Sequence, residues 1–531
     1  MSTRPRLFAD LHCHPSLYGY NRMRNGPDEG DPSLYHPWRV LPSDGKKMAA
    51  GAHAGAYSQC NFSQLSKGRV RLVFASLTPI EKGFIQESSA EGHKPFAWEA
   101  LRLATGATLV RGGRRLARGD RKGAARAAGG ILRNHGPLRA LLNRLYVGYS
   151  AERIKHMLSE EYDYWEELNL EYEFLRRSDG KTATATCEHL AGGEMIRSEV
   201  QGCYHLIRDA AQLEEVVEGT GDELAVLMSI EGGHVLTMGP DQRPLPEDVI
   251  FERIAAIKRW EHPVLLLTLA HHFDNGVCGH AHTIPDKGAA VIDQSPRLGE
   301  GLERRGDLGI RVLRELLDLD EDLNDQDGRR LVLDIKHFSP RTRQQYYEEI
   351  VRPYNERHSA AADPTRPPIP VVGSHMGYAG VATLQEQINC ADREDDHWLS
   401  GPYYAWGMNL SDEDVRMVHQ SEGLIGFIFD RRVLGAAPGL VVPDEMWPRM
   451  LWRQFTGMVD VIMGDDRLDP DDKVRIWDRI CIGTDFDGFM HPVPCYPTVL
   501  EFQGFADDLA ELLHQHRHTR MIARIGVEAL V

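Results

Sequence analysis

Short apolar runs bounded by turn residues recur along nearly the whole chain. Most of them are continuously apolar rather than alternating, as in Leu-Leu-Leu-Thr-Leu-Ala at 265–270. This pattern is typical of strands that are buried on both faces of a parallel sheet. Eight such runs are predicted as strands, at 6–14, 70–79, 223–231, 263–271, 330–337, 369–375, 423–430 and 480–485.

Helical patterns lie between several of these runs and after the last one, at 248–260, 304–318, 341–358, 411–421 and 500–514. Eight buried strands that alternate with helices predict an α/β fold, a (β/α)8 TIM barrel. An open, doubly wound sheet is the alternative. The strands use nearly the full length, so residues 1–531 are expected to form a single barrel domain.

The second and third predicted strands are far apart in sequence, which requires inserted structure between them. We place a basic, helix-rich insertion at 84–160, rich in arginine and poor in acidic residues over most of its length. One interpretation is a site for a polyanion, a membrane surface or an acidic partner. The other, which we favour, is a solvated helical hairpin that faces acidic surface on this or a neighbouring subunit, because the chain has a net charge of −17. The second interpretation leaves open whether the protein forms a homo-oligomer.

Composition restricts the class of protein. The 531 residues include 61 Lys and Arg against 78 Asp and Glu, and 42% are hydrophobic. This acidic balance argues against a protein that mainly binds nucleic acid. No stretch approaches the roughly 18 consecutive apolar residues of a membrane span. No apolar signal region follows Met1, so we expect a cytoplasmic protein.

The carboxyl ends of the predicted strands carry histidines and acids, and catalytic groups of such barrels lie on that face. Residues two apart on a strand project to the same side, so His12 and His14 can bind one ion together. The whole set exceeds the ligands of one tetrahedral ion, and predicts two divalent ions that share a bridging carboxylate, with zinc as the expected metal. The strand ends supply His12, His14, Glu231, His271, His337, His375 and Asp485, and Gly232 and Gly488 let the chain turn closely beside a bound ion.

This arrangement resembles the amidohydrolase superfamily, and within it the renal or membrane dipeptidase family, peptidase family M19. The similarity extends from Leu7 to about Leu513, interrupted by the insertion. The stretches that carry it are Ile230-Glu231-Gly232-Gly233-His234, Leu267-Thr268-Leu269-Ala270-His271, Asp334-Ile335-Lys336-His337 followed by Ser339, Ser374-His375, and Gly483-Thr484-Asp485-Phe486-Asp487-Gly488.

The resemblance implies a site and a reaction. One ion would be bound by His12, His14, Glu231 and Asp485, and the second by Glu231, His337 and His375, so that Glu231 bridges them. In the family's mechanism a hydroxide that bridges the ions attacks the substrate. Asp485 would take its proton and deliver it to the leaving amine, and His271 would hydrogen-bond the oxyanion. These residues imply a metal-dependent hydrolase that cleaves an amide or peptide bond of a small, dipeptide-like substrate.

Two positions depart from the family pattern. The family usually has an HxD motif at the first strand. This chain has His14 in place of the aspartate, so a neutral ligand replaces a negative one. Dipeptidases of the family also use an arginine, just ahead of the stretch that begins at Asn409 here, to bind the substrate carboxylate. The preceding Trp406-Gly407-Met408 holds none, and Arg393, Arg431 and Arg432 are the candidates to replace it.

The missing arginine leaves a second substrate class open, in which the same metal site would act on N-acyl amino acids, lactones or other esters. The basic insertion leaves a third function open, in which the barrel would be a non-catalytic scaffold that binds a partner through this insertion.

Overall fold

The computed structural model describes residues 6–25, 36–39, 57–85, 151–191, 194–219, 221, 223–284, 292–361, 367–390, 403–435, 442–488 and 490–517. Positions 86–150 of the predicted insertion lie outside the described residues, and so does Arg393. The described remainder of the insertion includes the helix Ala151–Met157. The basic, helix-rich character of its central part therefore stays a prediction.

The described residues form a barrel of parallel strands, and each of the eight predicted strands overlaps one of its members. The strands of the described residues are β1 (Phe8–Cys13), β2 (Val70–Leu77), β3 (Ala183–Ala191), β4 (Glu194–Gly202), β5 (Tyr204–Leu206), β6 (Leu224–Glu231), β7 (Val264–Thr268), β8 (Val332–Asp334), β9 (Val372–Met376), β10 (Leu424–Phe427) and β11 (Ile480–Ile482). In the order in which they pair, the barrel strands are β1, β2 and β6 to β11. All neighbouring pairs on this path are parallel.

The sheet closes where the chain just after β11 meets the end of β1. Cys13 and Phe486 form a parallel bridge. The N–H of Asp485 donates to the carbonyl of His12 at 2.9 Å, and the N–H of His14 donates to that of Phe486 at 2.9 Å. The closing hydrogen bonds therefore involve the residues predicted to bind metal.

The strand β6 explains why the predicted runs are apolar without alternation. It lies between β2 and β7, and every one of its residues from Leu224 to Glu231 is buried. A strand inside a closed, covered sheet has protein on both faces, so neither set of alternate residues meets water. Glu231 is the one ionisable residue in this strand, at its last position.

Some strands lie outside the barrel and were not predicted. The antiparallel hairpin of β3 and β4 forms a sheet of its own, and β5 adds to the amino-terminal end of β6. Exposed and buried residues alternate along the start of β3, so the hairpin lacks the continuous apolar run that marks the barrel strands.

Helices surround the barrel, and all five predicted helices have counterparts. Among the described residues, no helix has both the length and the apolar character needed to cross a membrane. The α-helices described are α1 (Leu17–Asn25), α2 (Phe62–Lys67), α3 (Ala151–Met157), α4 (Tyr164–Arg176), α5 (Ala210–Glu218), α6 (His234–Thr237), α7 (Glu247–Lys258), α8 (Leu308–Leu317), α9 (Pro340–Tyr346), α10 (Arg352–Ala361), α11 (Leu384–Cys390), α12 (Asp412–Gln420), α13 (Trp447–Met463), α14 (Pro470–Val474) and α15 (Phe502–Gln515).

Candidate metal centre

The Glu231 carboxylate lies at the carboxyl end of β6, among histidines from other strand ends. Each of these imidazoles is buried, and so is the carboxylate. The Nε2 atoms of His12, His337 and His375 lie 3.5, 3.3 and 3.4 Å from Oε1 of Glu231, and those of His14 and His271 lie 3.1 and 3.7 Å from Oε2. The structure thus brings the predicted strand-end histidines to one carboxylate.

Asp485 completes the set from the end of the eighth barrel strand. Its Oδ1 atom lies 3.5 Å from Nε2 of His14 and 4.0 Å from Nε2 of His12. Its side chain is 13% exposed, against 4% for Glu231, so it is the more accessible carboxylate. Its backbone is left-handed, with φ 62°, as is that of His337, with φ 64°. Such conformations cost energy for residues other than glycine and are typical of functional sites.

In their neutral form, two histidines direct a lone pair, rather than a proton, at the carboxylates. Nδ1 of His14 lies 3.1 Å from the carbonyl of Ser76, which only accepts, so Nδ1 carries the proton. Nδ1 of His375 lies 2.7 Å from the hydroxyl of Ser374, whose hydrogen is donated to Asp334, so the hydroxyl accepts from Nδ1. When either ring is neutral, Nε2 is therefore the unprotonated atom that faces carboxylate oxygen.

A lone pair and a carboxylate repel each other unless a cation or a proton lies between them. Burial alone would lower the pKa of His14, but its hydrogen bonds to Asp485 and Glu231 raise this pKa to about 10. The same two carboxylates suit a divalent cation in place of that proton. Within the described part of the chain, neither ring nitrogen of His12 has a hydrogen-bond partner. These donors fit the ligand preferences of zinc and similar ions.

The number of ions and the division of ligands between them stay predictions. His12, Glu231, His375 and Asp485 each offer one donor atom, and these atoms all lie within 4.8 Å of one another. The family resemblance implies that His12 and His375 bind different ions, whereas this group contains both.

Two buried aspartates hold the strand ends that carry the ligands. Asp334 accepts from the hydroxyls of Thr268 and Ser374, which ties β8 to β7 and β9. Asp10 accepts from the N–H and the hydroxyl of Thr484, at 3.0 and 2.7 Å, which ties β1 to the segment after β11. Burial raises the pKa of Asp10 to about 6. These contacts fix the direction in which the ligands project.

Glu81 is a site residue that the sequence interpretation missed. It follows β2, is buried, and its Oε2 lies 2.6 Å from Nδ1 of His271. This contact leaves Nε2 of His271 directed at Glu231. Burial alone would lower the pKa of His271, but the charges of Glu81 and Glu231 raise it. A Thr-Pro-Ile-Glu stretch at the end of a predicted strand was the signal that could have identified it.

The predicted glycines allow the close backbone approach at the site. Gly232 has φ 103°, and a Cβ atom there would lie 2.3 Å from Nδ1 of His234. A Cβ atom on Gly488 would lie 2.0 Å from Oδ1 of Asp485 and 2.8 Å from Nε2 of His14. A side chain at either position would displace the residues beside the centre.

Solved structures of metallopeptidases are similar to this chain. A dipeptidase of peptidase family M19 is 12% identical, with 98% of this chain and 95% of that chain covered and a TM-score of 0.43. A metallopeptidase from Rhodobacter sphaeroides, liganded with a phosphinate mimic of the dipeptide L-Ala-D-Ala, is 14% identical, with coverages of 98% and 96% and a TM-score of 0.44. The probable dipeptidase PvdM from Pseudomonas aeruginosa is 12% identical, with coverages of 88% and 85% and a TM-score of 0.40.

No family model and no curated protein matches the chain.

The candidate substrate arginines that the structure describes follow β10. Arg432 is held by the buried carboxylate of Asp430, with its Nε 2.9 Å from Oδ2. Nη2 of Arg431 lies 3.4 Å from Nδ1 of His491. Both lie on the carboxyl-terminal side of their strand, and a substrate-binding role for either stays a prediction.

Proposed function

We propose that the protein is a metal-dependent hydrolase that cleaves an amide or peptide bond of a small substrate. One observation supports this proposal most strongly. The Nε2 atoms of five buried imidazoles each lie 3.1–3.7 Å from one oxygen of the Glu231 carboxylate. Two divalent ions bound by His12, His14, Glu231, His337, His375 and Asp485 would supply activated water and polarise the carbonyl that it attacks.

The side chains around the ligands have separate tasks in this reaction. Asp485 takes up the proton of the attacking water and delivers it to the leaving amine, a role that its exposure relative to Glu231 supports. Burial, together with the charge of Glu231, raises the pKa of Asp485 and makes it a stronger base than an exposed aspartate. His271 donates from Nε2 to the developing oxyanion, and Glu81 holds this ring in place.

A variant of Asp485 tests this assignment. Asp485→Asn keeps the size of the side chain but removes the base, and we expect kcat to fall by roughly 100- to 10,000-fold, the range of general acid–base catalysis. The thermal unfolding midpoint should be little changed, because Asp485 is at the edge of the site. Asp487→Asn is unsuitable as a control because Asp487 bonds to Ser58 and Gln59. Asp508→Asn, at the distant Tyr496, is suitable. An Asp485→Asn enzyme with full kcat would refute the role.

The pairing of Arg432, one of the candidate substrate arginines, supports a second candidate substrate class. Because the guanidinium of Arg432 is paired with Asp430, it is less available to a substrate carboxylate. Lactones and neutral esters have no carboxylate at that position and need no such partner, whereas N-acyl amino acids keep the carboxylate and differ from dipeptides in lacking the free amino group. A panel of dipeptides, acyl amino acids and lactones separates the classes: preference for free dipeptides supports the first, and preference for the others supports the second. Hydrolysis of none at any metal loading would refute both and leave a scaffold.

A further inference from the structure

Three metal-binding side chains meet at the amino-terminal end of the barrel, away from Glu231. Cys203 directly precedes β5, His205 is within it, and Glu223 directly precedes β6. The two strands pair in parallel, with His205 opposite Ala225, and the N–H of Leu224 donates to the carbonyl of Cys203 at 3.2 Å. Eight positions of extended strand separate Glu223 from Glu231, which is about 26 Å at 3.3 Å per residue. The cluster is therefore separate from the candidate metal centre.

The donor atoms have the spacing of ligands around one ion. Sγ of Cys203 lies 3.7 Å from Nε2 of His205 and 3.8 Å from Oε1 of Glu223. Nε2 of His205 lies 3.5 Å from Oε2 of the same carboxylate. Zinc binds sulfur at about 2.3 Å and nitrogen or oxygen at about 2.1 Å, so two ligands at a tetrahedral angle are about 3.4–3.6 Å apart. Each of the three side chains offers one donor atom, and these atoms all lie within 4.8 Å of one another, a spacing close to that of three ligands of one zinc ion.

The strand geometry holds the donors together. Cys203 and His205 are two residues apart, so their side chains project to the same side of the strand. Backbone pairing between β5 and β6 then places Glu223 beside them. Cys203 is buried, whereas the side chains of His205 and Glu223 are 25% and 50% exposed. An ion can therefore enter from solvent, and a water can occupy the fourth corner.

We propose that Cys203, His205 and Glu223 form a second metal site that binds a zinc-like divalent cation. The site acts as a clamp between β5 and β6. The strand β5 directly follows the β3–β4 hairpin, so the clamp fastens the hairpin segment to the barrel. No step of the proposed hydrolysis depends on it.

Cobalt loading of the full-length protein tests this clamp without measuring activity. Thiolate bound to Co²⁺ gives a charge-transfer absorption in the near ultraviolet, and the proposed ligands of the Glu231 centre include no thiolate. We expect this absorption in metal-free protein reloaded with Co²⁺, and its loss in Cys203→Ser and in His205→Asn. Cys481→Ser is the matched control and should keep it, because Cys481 contacts the carbonyl of Ile425 instead.

Zinc content provides the second measurement. Cys203→Ser should bind about one zinc ion fewer per chain than the wild type, and zinc should raise its unfolding temperature less. Absence of the cobalt absorption in the wild type would overturn the proposal, whatever the folding of the variants. Its persistence in Cys203→Ser, or an unchanged zinc content, would also overturn it. The result is independent of whether the Glu231 centre hydrolyses anything.

Discussion

Single side chains around Glu231 have separable roles, and Glu81 is one that substitution can isolate. Its carboxylate accepts from Nδ1 of His271 and from the backbone N–H of His272. The ring of His234 donates through Nε2 to the carbonyl of Pro79, so its Nδ1 faces Glu81 as an acceptor. Nδ1 of His234 lies 3.9 Å from Oε1 of Glu81, so a glutamine at position 81 can keep its oxygen towards His271 and place its amide nitrogen on the side of His234, and it changes the charge at nearly the same size.

Glu81→Gln should lower kcat by about tenfold with little change in KM, and Glu81→Ala by up to about 100-fold, as for other residues that orient functional histidines. The physical reason is that the negative charge of Glu81 supports a protonated, hydrogen-bonding His271 during the reaction. Steady-state kinetics on the best substrate of the panel measure both effects. Equal kcat values for Glu81→Gln, Glu81→Ala and the wild type would exclude Glu81 from this role.

Glu171 is a buried carboxyl group whose ionisation should appear in stability. It lies on α4 and accepts from the hydroxyl of Ser16 at 2.7 Å and the N–H of Thr78 at 3.2 Å. Burial raises its pKa from 4.5 to about 7, against the opposite effect of these hydrogen bonds. Between these two pH values the folded chain binds more protons than the unfolded chain, so this group makes the protein less stable as pH rises.

Glu171→Gln removes that pH dependence while keeping both contacts, because the Ser16 hydroxyl can accept as well as donate. From pH 4 to pH 8, the unfolding free energy of the variant should therefore rise relative to the wild type, by up to about 3 kcal/mol. Urea unfolding across this pH range measures the difference. Glu173→Gln, at a partly exposed position of the same helix, is the control and should follow the wild type. Parallel stability curves for Glu171→Gln and the wild type would contradict the expectation.

At the scale of elements, a buried ion pair joins helices that follow two neighbouring barrel strands, β8 and β9. Arg343 on α9 donates to Asp414 on α12 at 2.7 Å and to Gln387 on α11 at 2.8 Å. Asp414 also completes the capping box with Ser411 at the start of α12. Neither member of the pair is exposed. Arg343 thus connects three helices, and its partner Asp414 also satisfies the amino terminus of α12.

Arg343→Met should lower the unfolding free energy by roughly 3–5 kcal/mol, because it leaves the Asp414 carboxylate buried without its partner. Arg352→Met is the matched control, since Arg352 pairs with Glu413 at the surface, and it should cost less than about 1 kcal/mol. Thermal or urea unfolding followed by circular dichroism compares the two. Similar losses of unfolding free energy in the two variants would show that the buried pair contributes no more to stability than the surface pair.

At the scale of the whole molecule, the barrel was predictable because most of its strands are largely buried on both faces, β6 completely. The continuous run before Glu231 indicates both the strand and the strand end that carries the acid. Ligands at the ends of consecutive parallel strands converge on one face, so their meeting followed from the order of the elements. The β3–β4 hairpin was not predicted, because it alternates and lies partly in solvent. Glu81 was missed because its contact with His271 joins positions 190 residues apart and leaves no local periodicity.

Metal content, measured with hydrolysis, tests the central claim most directly. The measurement compares the single variant Cys203→Ser with the double variant that carries both Cys203→Ser and Glu231→Gln. The proposed clamp then contributes to the metal content of neither protein. We predict about two zinc-like ions per chain in the first protein, together with hydrolysis that chelation abolishes and zinc restores. The second protein should bind fewer than about one ion and show no turnover, with its fold retained. Hydrolysis that survives complete removal of metal, or unchanged metal content after Glu231→Gln, would contradict the account.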